Sequence, residues 1–304
     1  MTLRALALAG ARAVSKYTGT VIAVFVVQVL VALACMLGLW LVLAQVFAHY
    51  PRFDDAVDGD IVALIECVRF AVPALLANAA IVVSTLAAWQ LATWFLVGGL
   101  AGVLAQRPDG RGETARCFGA DGASTFLAYA RLALVALPGW TLVGFVAATT
   151  LHAAMPRVET ALSLPQLLGP IALALLPPAL LLHFFGTVTD YTRIELTLRR
   201  DSHDLGVLST YLRTGGFVLR RPATLVHAGL GWALFWIVTA AYLALSAGHP
   251  MFGGGGALVL FAVRLGVALV RHVIKVSVLA GQVELGRVRP LPPQRPTAKL
   301  APKP

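Results

Sequence analysis

Three basic side chains share one stripe of an apolar segment late in the sequence. Arg264, Arg271 and Lys275 recur at helical spacing, so a helix carries all three on one face. A charge in the middle of a membrane costs about 2.5–3.5 kcal/mol even on lenient insertion scales, so the stripe must face protein, water or an anion. Guanidinium and ammonium groups bind phosphates and carboxylates, and the chemistry offered by this stripe is anion binding.

Acidic partners for this cationic stripe are few. Asp190 lies at the inner end of the fourth apolar segment, and Glu284 lies beyond the sixth. Two interpretations stay open. In the first the cations are structural: Lys275 and Arg271 extend to the inner interface, and Arg264 meets a carbonyl or an acid. In the second the stripe keeps positive charge for an anionic solute or a lipid headgroup.

A second polar group stands where the fourth apolar segment should leave the membrane. Asp190 and Arg193 are three residues apart, so their side chains can pair along a helix surface. Thr192 and Glu195 have the same spacing. We interpret Asp190 and Arg193 as a structural ion pair, and we keep Glu195 with them in the candidate anion or ion-pair site.

This stretch, Phe-Phe-Gly-x-x-x-Asp-Tyr-x-Arg-Ile over 184–194, resembles one in uncharacterised bacterial multi-span membrane proteins. The resemblance extends loosely to Arg220-Arg221-Pro222 and to the Phe-Leu-Val-Gly-Gly run at 95–99. It implies a shared helical fold and no activity, so it assigns no catalytic role.

Motifs for catalysis and cofactor binding are absent from the sequence. Cys35, Cys67 and Cys117 lie far apart, and the chain has no CxxC pair. It also has no Gly-x-Ser-x-Gly, no His-Glu-x-x-His and no phosphate-binding loop with its Lys-Ser/Thr. We therefore predict no catalytic residues, no metal site, no cofactor and no enzymatic activity.

Gly98 and Gly102 form a small-xxx-small pair in the second apolar segment. Such pairs let two membrane helices approach closely. We predict a helix-packing role for both glycines.

The elements that position these residues must be membrane helices. The 304 residues are 59% hydrophobic and only 12% charged, whereas about a quarter of the residues in a soluble domain are charged. A net charge of +10 would indicate nucleic acid in a soluble protein. Here the basic residues collect between apolar segments, so we expect a lipid bilayer as the partner and no nucleic acid.

Six apolar runs reach the roughly 20 residues that a helix needs to cross a bilayer. The predicted spans lie near 20–46, 76–104, 127–151, 164–188, 223–247 and 256–281. The predicted fold class is all-α: a polytopic bundle of about six transmembrane helices, arranged as three weakly repeated hairpins. We expect one transmembrane domain over 1–288, a disordered Pro-rich basic tail over 289–304, and interfacial helices near 3–16, 61–72 and 203–219. Pro73 is the expected break between the second interfacial helix and the second span.

The positive-inside rule sets the predicted orientation. Seventeen of the 24 Lys and Arg residues lie before the first span, in the second and fourth connections, or after the sixth span. The other three connections contain Arg52, Arg69 and Arg157. We therefore predict a bacterial inner-membrane protein with both termini in the cytoplasm, where anionic lipids are the expected neighbours.

Three functional hypotheses follow from this topology. The first is a non-enzymatic membrane protein that supports transport, envelope assembly or partner docking. The second is a transporter or binder of an anionic solute or lipid headgroup, acting through the cationic stripe. The third is an intramembrane lipid-modifying enzyme with Asp190 or His183 as its base. The sequence leaves a protein partner and a homo-oligomeric state open.

Overall fold

The computed structural model describes residues 3–48, 50–57, 60–160, 163–199, 206–246 and 254–288. Within these ranges the chain is 94% helical and contains no strand, which confirms the predicted all-α class. The helices, in chain order, are α1 (Leu3–Lys16), α2 (Thr18–Phe47), α3 (Phe53–Val57), α4 (Ile61–Ala77), α5 (Ala79–Gln106), α6 (Arg111–Glu159), α7 (Leu164–Leu198), α8 (Val207–Arg220), α9 (Pro222–Ser246) and α10 (Gly254–Val288).

Five of these helices are long and apolar enough to cross a membrane. They are α2, α5, α6, α7 and α9, and they correspond to the first five predicted spans. The sixth predicted span falls within α10, a helix of 35 residues that is not among the five. Its three basic residues, Arg264, Arg271 and Lys275, interrupt the apolar run and make its insertion into a bilayer less favourable.

Contacts between Cα atoms divide the chain into two compact units. The first unit comprises Met1–Thr18 and Gly98–Pro304, and the second comprises Gly19–Val97. The first unit thus contains α1, the end of α5 and all of α6 to α10. The second contains nearly all of α2, then α3 and α4, and most of α5.

In the second unit α4 runs through the predicted break at Pro73 and ends at Ala77. Helix α5 begins immediately afterwards, so the interruption lies at Asn78. The amide group of Asn78 donates to the Ala74 carbonyl at 2.9 Å, and the Asn78 backbone N–H bonds to the same oxygen. Asn78 therefore ends α4 by capping its last carbonyls, whereas Pro73 is accommodated inside the helix.

In the first unit burial is concentrated at one end of the long helices. Buried residues cluster in 114–136 of α6, 187–197 of α7 and 272–285 of α10, and we call these three segments together the packed layer. Helix α6 packs along α7, while α1 packs on α10 and α8 packs on α7. Leu6 of α1 and Val218 of α8 are almost completely buried in the same apolar cluster as Val188 of α7.

Parts of these helices outside the packed layer expose apolar side chains. In α7 the exposed residues are Leu168, Leu173, Leu175, Leu176 and Leu180. A soluble protein rarely exposes a contiguous apolar surface of this size, whereas a helix facing lipid does so favourably.

The three predicted interfacial helices fall on helical segments of the structure. The first is α1, the second coincides with most of α4, and the third overlaps α8 from Val207 onwards. Residues 203–205, where the third was expected to begin, and the predicted tail over 289–304 lie outside the described residues.

Candidate functional site

The cationic stripe of α10 meets aromatic side chains of α9. The Nε atom of Arg264 donates a hydrogen bond to the Tyr242 hydroxyl at 2.7 Å. The guanidinium carbon of Arg271 lies 3.8 Å from the centre of the Phe235 ring. The Nζ atom of Lys275 lies 5.2 Å from the same ring centre. Helix α9 therefore orients all three cations, two of them on one phenyl ring.

These aromatic contacts hold the cations without neutralising them. The face of an aromatic ring attracts a cation through its quadrupole and carries no net charge. Among the described residues, no carboxylate lies within ion-pair distance of Arg264, Arg271 or Lys275. Asp190 of α7 interacts electrostatically with Lys275 without forming an ion pair with it. The stripe thus keeps most of its positive charge.

Glu284, the other acid expected near the stripe, does not pair with it. Its carboxylate forms an ion pair with Arg107, which follows α5. Close by, Lys16 pairs with Asp109 at 2.8 Å. This pair raises the pKa of Lys16 and lowers the pKa of Asp109. The connection between α5 and α6 is therefore fastened to the end of α1 and to α10 by opposite charges.

Asp190 and Arg193 form the i,i+3 contact that their spacing allows. The Nη1 atom of Arg193 lies 3.2 Å from Oδ1 of Asp190. Arg193 also lies over the Tyr129 ring of α6, at 5.9 Å from the ring centre. The Tyr129 hydroxyl is 2.7 Å from the Thr197 hydroxyl and 3.2 Å from the Arg193 carbonyl. Asp190 is half-exposed beside the stripe, while Arg193 is drawn toward α6.

Glu195 interacts with a different set of residues. It is 5% exposed, and its Oε1 lies 2.5 Å from Nε of Arg199. It also interacts electrostatically with Arg213 of α8. Of the six predicted site residues, the structure therefore brings Arg271, Lys275, Asp190 and Arg193 into one neighbourhood. Arg264 lies nearer the start of α10, and Glu195 faces α8.

Gly98 and Gly102 lie against α6. A Cβ atom on Gly98 would overlap the Thr125 hydroxyl, and one on Gly102 would overlap the Asp121 side chain. Both glycines therefore provide the close approach of α5 to α6 that small residues allow.

Asp121 is the polar residue that sequence reasoning missed. It is completely buried, and its Oδ2 accepts hydrogen bonds from Nε2 of Gln106 at 2.6 Å and from the Cys117 thiol at 3.3 Å. Its sequence neighbourhood is polar and resembles a loop, so nothing marked it as buried. The available signal was its helical spacing from Cys117 and Thr125, four residues to either side.

His183 is bound to the backbone rather than placed beside a reactive group. Its Nε2 lies 3.0 Å from the Leu225 carbonyl of α9. Among the described residues, no group of three or more His, Cys, Asp or Glu side chains could hold a metal ion. The geometry at His183 is therefore that of a contact between α7 and α9.

Comparison with family models, curated proteins and solved structures gives no match. The class of protein therefore rests on the fold and its surface. Its described residues form a helical protein in which five helices are long and apolar enough to cross a membrane, which is compatible with a multi-pass membrane protein.

Proposed function

We propose that this chain is a non-enzymatic, six-span protein of a bacterial inner membrane that binds the headgroups of anionic lipids through Arg271 and Lys275. In this proposal α10 is the sixth span, both termini are cytoplasmic, and the packed layer lies at the cytoplasmic side. The distribution of basic residues in the sequence supports this orientation.

The observation that carries the proposal is a change of surface along α10. Its exposed apolar residues run from Leu258 to Val270, and buried residues begin at His272. Arg271 and Lys275 stand at this junction. A phospholipid places its phosphate where hydrocarbon gives way to polar surroundings, so both cations are at the level of the headgroups.

The length of α10 supports the same placement. At about 1.5 Å per residue, its 35 residues extend roughly 52 Å. The hydrocarbon core of a bilayer is about 30 Å thick. The 17 residues of α10 that precede Arg271 extend roughly 26 Å, which is most of that thickness, so Arg271 and the residues after it lie near or beyond the edge of the core.

The partners of the candidate bases support a non-enzymatic role. Asp190 is paired with Arg193, and His183 is bound to a backbone carbonyl. In the described part of the chain, both candidate bases are therefore engaged in contacts along or between helices.

The test compares lipid binding by matched double variants of the purified protein. One variant is Arg271→Gln with Lys275→Gln. The control is Arg111→Gln with Arg116→Gln, which removes the same charge from exposed positions of α6. The measured quantity is the rise in melting temperature when phosphatidylglycerol replaces phosphatidylcholine in nanodiscs.

The control arginines lie on the predicted cytoplasmic side as well, so we expect phosphatidylglycerol to stabilise the control somewhat less than the wild type, and the α10 variant much less than either. Each basic residue near an anionic surface contributes about 1 kcal/mol. Loss of two such residues therefore weakens lipid affinity about tenfold or more. Equal stabilisation of all three proteins would refute the lipid site on α10.

A further inference from the structure

Asp190 is a carboxylate that borders the cationic stripe of α10. It belongs to the 187–197 segment of α7, and α7 packs on α10. Its carboxylate interacts electrostatically with Lys275 but lies beyond ion-pair distance from it. Since Lys275 shares the Phe235 ring with Arg271, Asp190 stands next to the proposed lipid site without neutralising its two cations.

The charges in this neighbourhood leave a positive surplus. Asp190 and Arg193 form an ion pair that is neutral by itself. Arg271 and Lys275 therefore supply two positive charges that no ion pair of the described residues compensates. A phosphodiester carries one negative charge, so its binding at these two cations reduces the surplus. Asp190 can thus remain ionised beside a bound phosphate.

The carboxylate of Asp190 retains an accessible acceptor oxygen. Its Oδ1 lies 3.2 Å from Nη1 of Arg193, while its Oδ2 accepts no hydrogen bond from the described residues. The Asp190 side chain is 47% exposed. Because Arg193 and Lys275 already compensate the charge of the carboxylate, Oδ2 is suited to a neutral donor such as a hydroxyl group.

The position of Asp190 along α7 matches the direction in which a headgroup extends. The exposed leucines of α7 end at Leu180, and Asp190 follows within the packed layer. In a phospholipid the headgroup alcohol is attached to the phosphate on the side away from the acyl chains. A phosphate bound at Arg271 and Lys275 therefore presents its headgroup toward the packed layer, where Asp190 lies.

We propose that Asp190 makes the α10 site selective for phospholipids whose phosphate carries a hydroxylated alcohol such as glycerol. This inference rests on the proposed function: Arg271 and Lys275 bind the phosphate, and Oδ2 of Asp190 accepts a hydrogen bond from a hydroxyl group beyond it. A headgroup without a donor leaves that oxygen without a lipid partner. Asp190 is thus a specificity-determining residue, and it is distinct from the two phosphate ligands.

The experiment measures competition between two lipids by native mass spectrometry of the full chain. The first lipid is phosphatidylglycerol. The second is phosphatidylpropanol with the same acyl chains, which keeps the phosphodiester and its charge but lacks the headgroup hydroxyls. The measured quantity is the ratio of the two lipid adducts at equal lipid concentrations. Structural damage to the site weakens both lipids alike, so this ratio reports only on recognition of the hydroxyls.

The wild type should prefer phosphatidylglycerol by about three- to tenfold, which corresponds to one hydrogen bond. Asp190→Ala should lower that ratio to about one, and Asp190→Asn should lower it less, because a neutral amide oxygen is a weaker acceptor. The matched control is Glu113→Ala, which removes an exposed carboxylate from the first turn of α6. It should leave the ratio unchanged, since it alters the overall charge without touching the site.

The proposed function is tested separately by Arg271→Gln with Lys275→Gln, which should weaken both lipids. Unchanged binding in this double variant would refute the α10 lipid site itself. If the double variant does lose both lipids, two results would overturn the role of Asp190 alone. One is a wild-type ratio of about one, and the other is a ratio that stays the same in both Asp190 variants.

Phosphatidylethanolamine is the third probe, because its ammonium group would bind Asp190 by charge. We expect it to bind the wild type more weakly than phosphatidylglycerol does. Tighter binding of phosphatidylethanolamine that is lost in Asp190→Ala would show that Asp190 takes a cationic headgroup, which overturns the proposed selectivity for hydroxylated lipids.

Discussion

The two ends of α7 differ in which side chains are exposed and which are buried. Toward its start the leucines are exposed, including Leu176 at 54% and Leu180 at 62%. Over 187–197 the threonines and Glu195 are buried, including Thr192 at 0% and Glu195 at 5%. One helix therefore faces two surroundings: the first half presents apolar groups outward, and the second gathers polar groups inside the packed layer.

Hydrogen bonds within α7 allow its threonine side chains to be buried. Each hydroxyl of Thr187, Thr189, Thr192 and Thr197 donates to the carbonyl four residues earlier, at 2.7–2.9 Å. These bonds satisfy the hydroxyls within the helix, so burying them leaves no unpaired donor. The packed layer can thus be polar in composition and still pack tightly.

The largest expected effect comes from making similar truncations at both ends of α7. Ile194 is 1% exposed and Leu180 is 62% exposed. Ile194→Ala should lower the free energy of unfolding by about 2–5 kcal/mol, because it leaves a cavity. Leu180→Ala should change it by no more than about 0.5 kcal/mol. Reversible unfolding in mixed detergent micelles measures both values, and similar losses would remove the contrast between the two ends.

An intermediate effect is expected from adding one carbon atom next to the packed layer. Gly102→Ala places a Cβ where the Asp121 side chain lies, and overpacking of this kind costs about 1–3 kcal/mol. Gly119→Ala meets no atom within 4 Å and should gain up to about 1 kcal/mol from helix propensity. Melting temperatures of the two variants should therefore move in opposite directions. A shift in the same direction would show that α5 and α6 are less closely packed than the structure indicates.

The smallest expected effect concerns the exposed pair between Lys16 and Asp109. Because the pair lowers the pKa of Asp109, its contribution is present above the carboxyl's unfolded pKa of about 3.9 and is lost as pH falls through the folded value. Asp109→Asn should lower the melting temperature slightly at pH 7. At pH 3 the variant and the wild type should differ less.

Asp54→Asn is the control for this pair, because Asp54 forms none of the ion pairs of the described residues. It should leave the melting temperature unchanged at both pH values. A difference between Asp109→Asn and the wild type that is as large at pH 3 as at pH 7 would mean that Asp109 acts through something other than its charge.

The sequence predicted the helical class and the five apolar helices because both depend on local composition and periodicity. It also placed Asp190 beside Arg193, since that contact follows from helix geometry. The role of Phe235 was not predictable in this way. A phenyl ring in an apolar run carries no sign that two cations of another helix will lie on it.

Two other differences between the sequence-based predictions and the structure also arise from contacts that the sequence pattern does not reveal. Pro73 was expected to end a helix because it lacks an N–H group, but Asn78 caps α4 five residues later. Asp121 has the composition of a loop around it, yet its side chain is buried where Gly102 of α5 approaches α6. Periodicity defines the faces of a helix, whereas the partner of each face depends on contacts between distant segments.

The packing of α1 on α10 has a consequence for how the chain is made. A Cβ atom on Gly10 would overlap the Ser277 carbonyl, and Leu6 is 1% exposed in a cluster that includes Leu285. The first described helix to leave the ribosome therefore contacts the last one. Until α10 has been synthesised, the apolar face of α1 lacks that cover, so the first unit can complete its folding only late in translation.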